Sequence, residues 1–430
     1  MSKHSVLIID SSFPEVSQLA AALAEAGLLS RYVRPYANLN RGWERVAAGL
    51  PGLGEAYMRS FGRRVMPEPL GREHITETAL LWDFAMAVNA RMPIQTGWWR
   101  ELRRRLMYRM GRTVAQKGAR LLCNEQMVVA SWHCALPAFE KAAKLGVIKV
   151  LNYPLAHHTF TRRYLLEEVG REPDLAATLN GHDRPTWQVE WLDREIELAD
   201  HILVGSSFVK QSFLAEGVPE SKICVIPYGV DASLFTPPES PRPRDRFNVL
   251  FAGQLSQRKG ISYLLRAYER IHGSGTFLML VGQLQDDGRA LRPWSHLFRH
   301  IPHVPRPRLA ELFRQADVFV FPTLIEGMPL VVVEAMASGL PVITTPNGPG
   351  DIVRDGVDGF LVPPRDVDAI EEKLKLLRRS EELRAEMGRN ARQRAQEFTW
   401  KNYRNKVLDQ LCGWLDEEVD PVSLMRSSNG

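Results

Sequence analysis

Two glutamates eight positions apart, Glu326 and Glu334, bracket the apolar stretch "IEGMPLVVVEAMASG". Pro329 suits the first position of a helix and Gly339 its end. Glu326 then falls in the loop before that helix, and Glu334 one to two turns inside it. A carboxylate among Val331, Val332, Val333, Ala335 and Met336 needs a partner, because a buried unpaired charge is costly. Two assignments fit. Glu334 binds vicinal hydroxyls, as on a ribose, while Glu326 faces a sugar or positive charge developing on one. Alternatively, Glu334 pairs with an arginine and Glu326 caps the helix. The amides of Met328, Leu330 and Val331 face any anion that approaches this end.

A second stretch, "FAGQLSQRKG" (251–260), reads as a strand end, a tight exit at Gly253 and a helix beginning near Gly260. Helix N-termini present free N–H groups and partial positive charge. Arg258 and Lys259 add two cations there, which suits a phosphate or diphosphate; a plain strand–turn–helix with exposed bases fits equally. A third, "PVITTPNGPGDIVRDGVDGFLVPP", has a Gly-rich loop that lets backbone approach a ligand, or is a cluster of surface turns. Earlier in the chain, His133 ends a strand-like run. His157, His158, Arg162, Arg163 and Glu168 follow another such run, and suit an anionic or polyhydroxylated acceptor or a solvated helix start. No third carboxylate accompanies His157 and His158 at ligand spacing, so no protein-bound metal is expected.

These groups need a scaffold. The 430 residues suit two or three domains, and a net charge of +5 fits anionic small molecules, a membrane surface or nucleic acid without selecting among them. No apolar run approaches the ~18 residues of a membrane span, and the N-terminus does not read as a signal peptide. Four scattered cysteines argue against a zinc site or disulfide framework, and for the cytoplasm. Strand-like runs at 6–10, 146–153, 201–207 and 223–229 alternate with helical patterns. From Asp231, "DASLFTPPESPRPRDR" holds four prolines, and a second βαβ series begins at Phe247. The expected architecture is α/β: two Rossmann-like, doubly wound halves facing across a cleft. They cover 1–230 and 247–398, with a linker at 231–246 and a helical segment and tail at 399–430. Segment 369–398 reads as strongly helical.

In order and spacing, "FAGQLSQRKG", "EGMPLVVVE", "ASGLPVITT" and "DGVDGFLVPP" resemble the donor-site blocks of the retaining glycosyltransferases of family 4, which have the GT-B fold. The resemblance covers roughly 195–400. It implies a sugar transferred from a nucleotide-diphosphate sugar, a UDP- or GDP-sugar, to a hydroxyl of a saccharide or lipid-linked acceptor, in polysaccharide, lipopolysaccharide or glycolipid synthesis. It implies no permanently bound cofactor. Lys259, with Arg258, would hold the diphosphate, Glu334 the ribose and Glu326 the transferred sugar. Gly253, Gly327, Met328 and Leu330 would offer backbone, the loop 348–351 would lie near the donor, and Val304 would sit beside the base. On the acceptor half, His133 matches the family's histidine facing the reacting sugar. Two departures stand out. Gln254 replaces the usual arginine, and "DSSFPEVS" replaces a Gly-rich loop, so that Ser11 and Ser12 would serve there. A nucleotide-sugar 2-epimerase and a non-catalytic nucleotide-sugar binder are the alternatives.

One segment lies outside this pattern. In "GWWRELRRRLMYRMGRTVAQKGAR", Trp99, Leu102, Leu106 and Met110 share a helical face, and Arg100, Arg103, Arg104, Arg105, Arg109 and Arg112 crowd the rest. Residues 98–112 suit an anionic membrane surface, which would make the protein peripheral, or a helix packed on the sheet with solvated arginines. No nucleic-acid reader module is recognisable.

Overall fold

The structure, a computed structural model, describes residues 5–39, 41–50, 65–79, 82, 98–239, 246–302 and 304–419. The first sheet comprises β1 (Val6–Ile9), β2 (Leu29–Arg34), β3 (Ile75–Glu77), β4 (Met127–Ser131), β5 (Ile148–Asn152), β6 (His201–Val204) and β7 (Ile223–Val225), in the order β3-β2-β1-β4-β5-β6-β7. The second comprises β8 (Phe247–Ala252), β9 (Thr276–Val281), β10 (Phe298–Ile301), β11 (Val318–Phe321), β12 (Val342–Thr344) and β13 (Gly359–Leu361), in the order β10-β9-β8-β11-β12-β13. Every pairing in both sheets is parallel. Helices cover both faces, so β1, β4 and β11 are buried along their whole length and read as unbroken apolar runs. Strand order reverses between β1 and β4, and again between β8 and β11. Such switch points open a crevice at the carboxyl ends of the strands.

The helices of the first half are α1 (Pro14–Glu25), α2 (Gly42–Gly49), α3 (Trp98–Leu121), α4 (Leu136–Leu145), α5 (His158–Arg171), α6 (Thr186–Leu198) and α7 (Ser207–Leu214). The second half contributes α8 (Ile261–Glu269), α9 (Arg306–Gln315), α10 (Leu330–Ala337), α11 (Val367–Arg379), α12 (Glu381–Ala395) and α13 (Trp400–Val419). The segment 369–398 is broken in two. Ser380 leaves the helical region, and its hydroxyl accepts the Leu383 amide at 3.1 Å, capping α12. Pro329 stands at the N-cap of α10 rather than inside it.

The chain crosses between the halves twice. After α12 it returns to the first sheet, where α13 packs on α1. Arg404 bonds Gln18 at 2.7 Å and Glu25 at 2.6 Å, and Trp414 stacks on His201 with ring centroids 4.0 Å apart. The two crossings bond to each other, the Val230 amide donating to the Phe398 carbonyl at 2.8 Å.

The halves also meet through Glu168 of α5. This fully buried carboxylate accepts from Gln257 Nε2 (2.7 Å), the Tyr263 hydroxyl (2.7 Å) and Arg365 Nε (2.8 Å), all from the second half. Glu168 is therefore an inter-domain tie and not an acceptor group. Beside it, Arg266 grips Glu172 with two bonds of 2.5 and 2.7 Å. Replacing Glu168 by Ala should strand three donors, two of them buried and the third the half-buried Arg365 cation, and destabilise the chain by about 3–5 kcal/mol. Urea denaturation checks this; wild-type stability would contradict it.

Candidate active site

On the second sheet, β8 ends at Ala252 and is followed by Gly253, whose φ is 150°. The chain then makes one tight turn, Gln257–Lys259, before α8. Gly260 caps α8 with φ 71°, and a Cβ there would lie 1.9 Å from the Pro322 carbonyl oxygen, so no side chain fits. This close approach brings Arg258 and Lys259 to the exit of β11, where both side chains bond Oε1 of Glu326. Arg258 also donates to the Ile325 carbonyl at 3.0 Å. Burial would raise the Glu326 carboxyl, but the Arg258 and Lys259 charges outweigh it and hold the group below its usual range. Burial pulls Lys259 down to about 8, against the opposing pull of Glu326.

Glu334 lies on the buried face of α10 and pairs with Arg306 Nη2 of α9 at 2.7 Å. Burial raises its carboxyl, with Arg306 opposing. The pair matches one of the two sequence-based assignments. The Arg306 side chain is 42% exposed, so this partner is exchangeable. Val304 is half-buried between β10 and α9. Gly327 and Met328 lie against the first half. The Gly327 carbonyl accepts from Ser206 Oγ at 2.8 Å, a Cβ on Gly327 would meet the Pro154 carbonyl at 1.8 Å, and Met328 Sδ accepts the Tyr228 amide at 2.7 Å. Leu330 opens α10, whose first N–H groups have no intrahelical acceptor. Gly348 backs onto Glu326, and Asp351 accepts the Ser207 amide at 2.5 Å.

Across from these groups, His133 follows β4 in a left-handed turn, φ 69°. Glu195 of α6 sets that turn. Its fully buried carboxylate accepts the amides of His133 (2.8 Å), Ala135 (2.8 Å) and Leu136 (3.2 Å) and the Trp191 indole N–H (2.8 Å). Burial pushes Glu195 up to about 7, while these donors pull the other way. Burial, then the charge of Arg184, lowers His133 to about 3, so its ring is neutral near pH 7. Arg184 Nη1 lies 3.4 Å from His133 Nε2.

Ser12 takes φ 97°, a conformation glycine favours, and its buried hydroxyl has no partner among the described residues. Asp10 sets this loop by accepting the Phe13 amide at 3.1 Å and the Ser131 hydroxyl at 2.7 Å. Arg162 is exposed and donates to the His182 carbonyl at 3.3 Å.

His157 and His158 point inward instead, 6% and 2% exposed, with rings stacked 4.4 Å apart. Burial lowers them to about 3 and about 4. The carboxylate absent at sequence spacing arrives from α6: Asp193 Oδ1 is 2.9 Å from His158 Nε2, and ligand atoms of all three residues lie within 4.8 Å. The trio is chemically able to hold a divalent ion. However, His157 Nδ1 accepts the Thr159 amide at 3.2 Å and His158 Nδ1 meets the Tyr153 hydroxyl at 3.3 Å, bonds that anchor the start of α5.

Sequence reasoning missed Glu195, Arg184, Arg306 and Asp193. Glu195 had one signal: Gln188, Leu192 and Glu195 follow the helical spacing of a buried stripe.

The chain matches the family model for group 1 glycosyl transferases over residues 235–394. It is 32% identical over 310 residues to the MMP alpha-(1->4)-mannosyltransferase of Mycolicibacterium hassiacum, covering 68% of this chain and 72% of that relative. The chain belongs to the group 1 glycosyltransferase family. A D-inositol 3-phosphate glycosyltransferase of Arthrobacter sp. is 32% identical over 217 residues, 46% of this chain; the match spans only about half, 52%, of that relative's length. Among solved structures, sucrose-phosphate synthase from Thermosynechococcus elongatus covers 96% of this chain and is itself matched over 100% of its length, with TM-score 0.62 and 19% identity. Anabaena HepE in complex with UDP covers 95% and is matched over 100%, with TM-score 0.60 and 14% identity. The fold is GT-B. Among the described residues, no helix is long and apolar enough to cross a membrane.

Replacing Glu195 by Ala should leave four donors unmet and lower stability by on the order of 3 kcal/mol or more. Glu195→Gln, which keeps one acceptor oxygen but turns an NH2 toward donors, should fall between. Chemical denaturation of the two variants reads this; equal stability of Glu195→Ala and wild type would rule out the capping role.

Proposed function

We propose that this group 1 enzyme is a retaining glycosyltransferase that moves a sugar from a UDP- or GDP-sugar to a hydroxyl acceptor in polysaccharide or glycolipid synthesis. The observation that carries the reading is the sharing of Glu326 by Arg258 and Lys259 at the mouth of α8. Two cations held by one carboxylate are poised to transfer to a stronger anion. A donor diphosphate would take both cations, adding the N-termini of α8 and α10. Glu326 would then be released toward the sugar. Glu334 would exchange Arg306 for the ribose hydroxyls, and Val304 would flank the base.

The chemistry follows from that placement. Cleavage of the bond between the anomeric carbon and the diphosphate oxygen puts negative charge on the leaving group, which Lys259 and Arg258 stabilise. Positive charge develops on the sugar ring and is stabilised by Glu326. The acceptor hydroxyl attacks from the face the diphosphate leaves. Its proton passes to the departing phosphate oxygen, so configuration is retained. His133, neutral and held by Glu195, faces the sugar from the other half.

A thermal-shift screen across UDP-, GDP- and ADP-sugars tests the donor site; no stabilisation by any of them would refute it. Glu334→Ala should weaken donor binding about 10–100-fold, the loss of hydrogen bonds to a charged group. Glu326→Gln should lower kcat by about 10²–10³ with little change in donor Kd. Calorimetry and steady-state rates separate the two, and unchanged donor affinity in Glu334→Ala would sink the ribose assignment.

Donor affinity should also depend on pH. Binding favours the protonated Lys259, so above about 8 a proton must bind together with the donor. Kd should then rise up to about tenfold per pH unit. Lys259→Arg, whose cation does not titrate in this range, should flatten that limb. A flat wild-type profile to pH 10 would remove Lys259 from the diphosphate.

A further inference from the structure

An open cleft of about 430 Å³ lies beside His133, lined by Arg105, Tyr108, Arg109, Arg112 and Trp187. Two of its cations, Arg109 and Arg112, are held in place by aromatic rings. Arg112 lies over Trp187 at 4.8 Å and over Trp191 at 5.7 Å, and Arg109 lies over Trp82 at 5.5 Å. Cation–π stacking orients a guanidinium but leaves its charge unneutralised. Among the described residues, no carboxylate lies within 4 Å of Arg109, Arg112 or Arg184. The arginines on this face of α3 are exposed, and those at 109 and 112 are oriented by indole rings around an open cleft.

The recess and the His133 turn are one construction. The Tyr108 ring is 4.9 Å from Trp187 and 6.4 Å from the His133 ring. Gln188 bonds the Tyr108 hydroxyl, and its Nε2 lies 3.5 Å from His133. Trp191, which backs Arg112, donates to the same Glu195 carboxylate that fixes His133. Beyond His133, Arg184 lies over Trp132 at 5.1 Å, and its buried Nε has no partner among the described residues. Cations therefore flank His133 on two sides.

We propose that this recess binds an anionic group, a phosphate ester, on the acceptor, and so places the acceptor's reacting hydroxyl on the His133 side. The proposal rests on the transferase reading above and adds the acceptor's chemical class. Guanidinium pairs suit the fork geometry of phosphate oxygens, and Trp187 offers an apolar face for a sugar or glycerol carbon skeleton. The ester has two sources, a soluble sugar phosphate or a lipid headgroup.

The full-length protein tests this with glucose 6-phosphate and glycerol 3-phosphate against glucose and glycerol, and with vesicles of phosphatidylglycerol against phosphatidylcholine. The expected result is that wild type binds the esters, the anionic vesicles or both. Arg109→Gln/Arg112→Gln should weaken that binding at least tenfold, with an unchanged melting temperature and unchanged nucleotide-sugar affinity. Lys259→Gln should show the reverse pattern, which separates this recess from the diphosphate site. Arg112→Lys, keeping charge but losing the stacked fork, should lie between. Loss of ester binding in the double variant identifies a soluble acceptor, and loss of vesicle binding alone a lipid headgroup. The proposal is overturned if wild type binds neither probe, or if the double variant binds them as wild type does. Failure of wild type to bind any nucleotide sugar would refute the transferase reading instead, and leaves the phosphate result separately readable.

Discussion

The structure turns on one buried carboxylate. Glu168 leaves the first half on α5 and is received by Gln257, Tyr263 and Arg365 of the second. Gln257 begins the turn that carries Arg258 and Lys259, and its amide donates to Thr178 Oγ1 of the first half at 2.9 Å. The two cations of the candidate site are therefore positioned by both halves together. A carboxylate in this setting is tolerable only because every lone pair it turns inward meets a donor. Removing any one donor weakens the tie and displaces the cationic turn at the same time.

A second theme is charge held in reserve. Glu326 offsets one of the two positive charges on Arg258 and Lys259, and Arg306 neutralises Glu334, so this cluster on the second sheet keeps one net positive charge. Such pairs are preorganised, so the protein's own groups are already desolvated and oriented, and the entering ligand's dehydration is offset by the charges it meets. The first half differs. Around His133, Arg109, Arg112 and Arg184 stack on indoles and have no acid within 4 Å among the described residues. Charge balance there waits on what enters.

Local patterns in the sequence carried a large part of this architecture. Apolar runs marked most strands, and the eight-residue spacing of Glu326 and Glu334 pointed to the second-sheet loops. What stayed hidden depends on contacts between distant segments. Glu195 and His133 are 62 positions apart, and Glu168 and Arg365 are 197 apart. Nothing in the chain near Glu168 distinguishes a solvated acid from an inter-domain tie. Asp193 reaches His158 only because α6 packs beside α5. Edge strand β10, half polar and partly exposed, lacks the buried strand signature. The break at Ser380 was visible as a capping serine, but charged helical residues on both sides masked it.

The return of the chain after α12 has a mechanical consequence. A single peptide link between two bodies acts as a swivel. Here two links run side by side and bond to each other where Val230 meets Phe398. Such a two-ply joint resists twist about its long axis and yields most easily by bending. Any relative motion of the halves must bend that paired joint and work against the Glu168 cluster, which ties them at a second place.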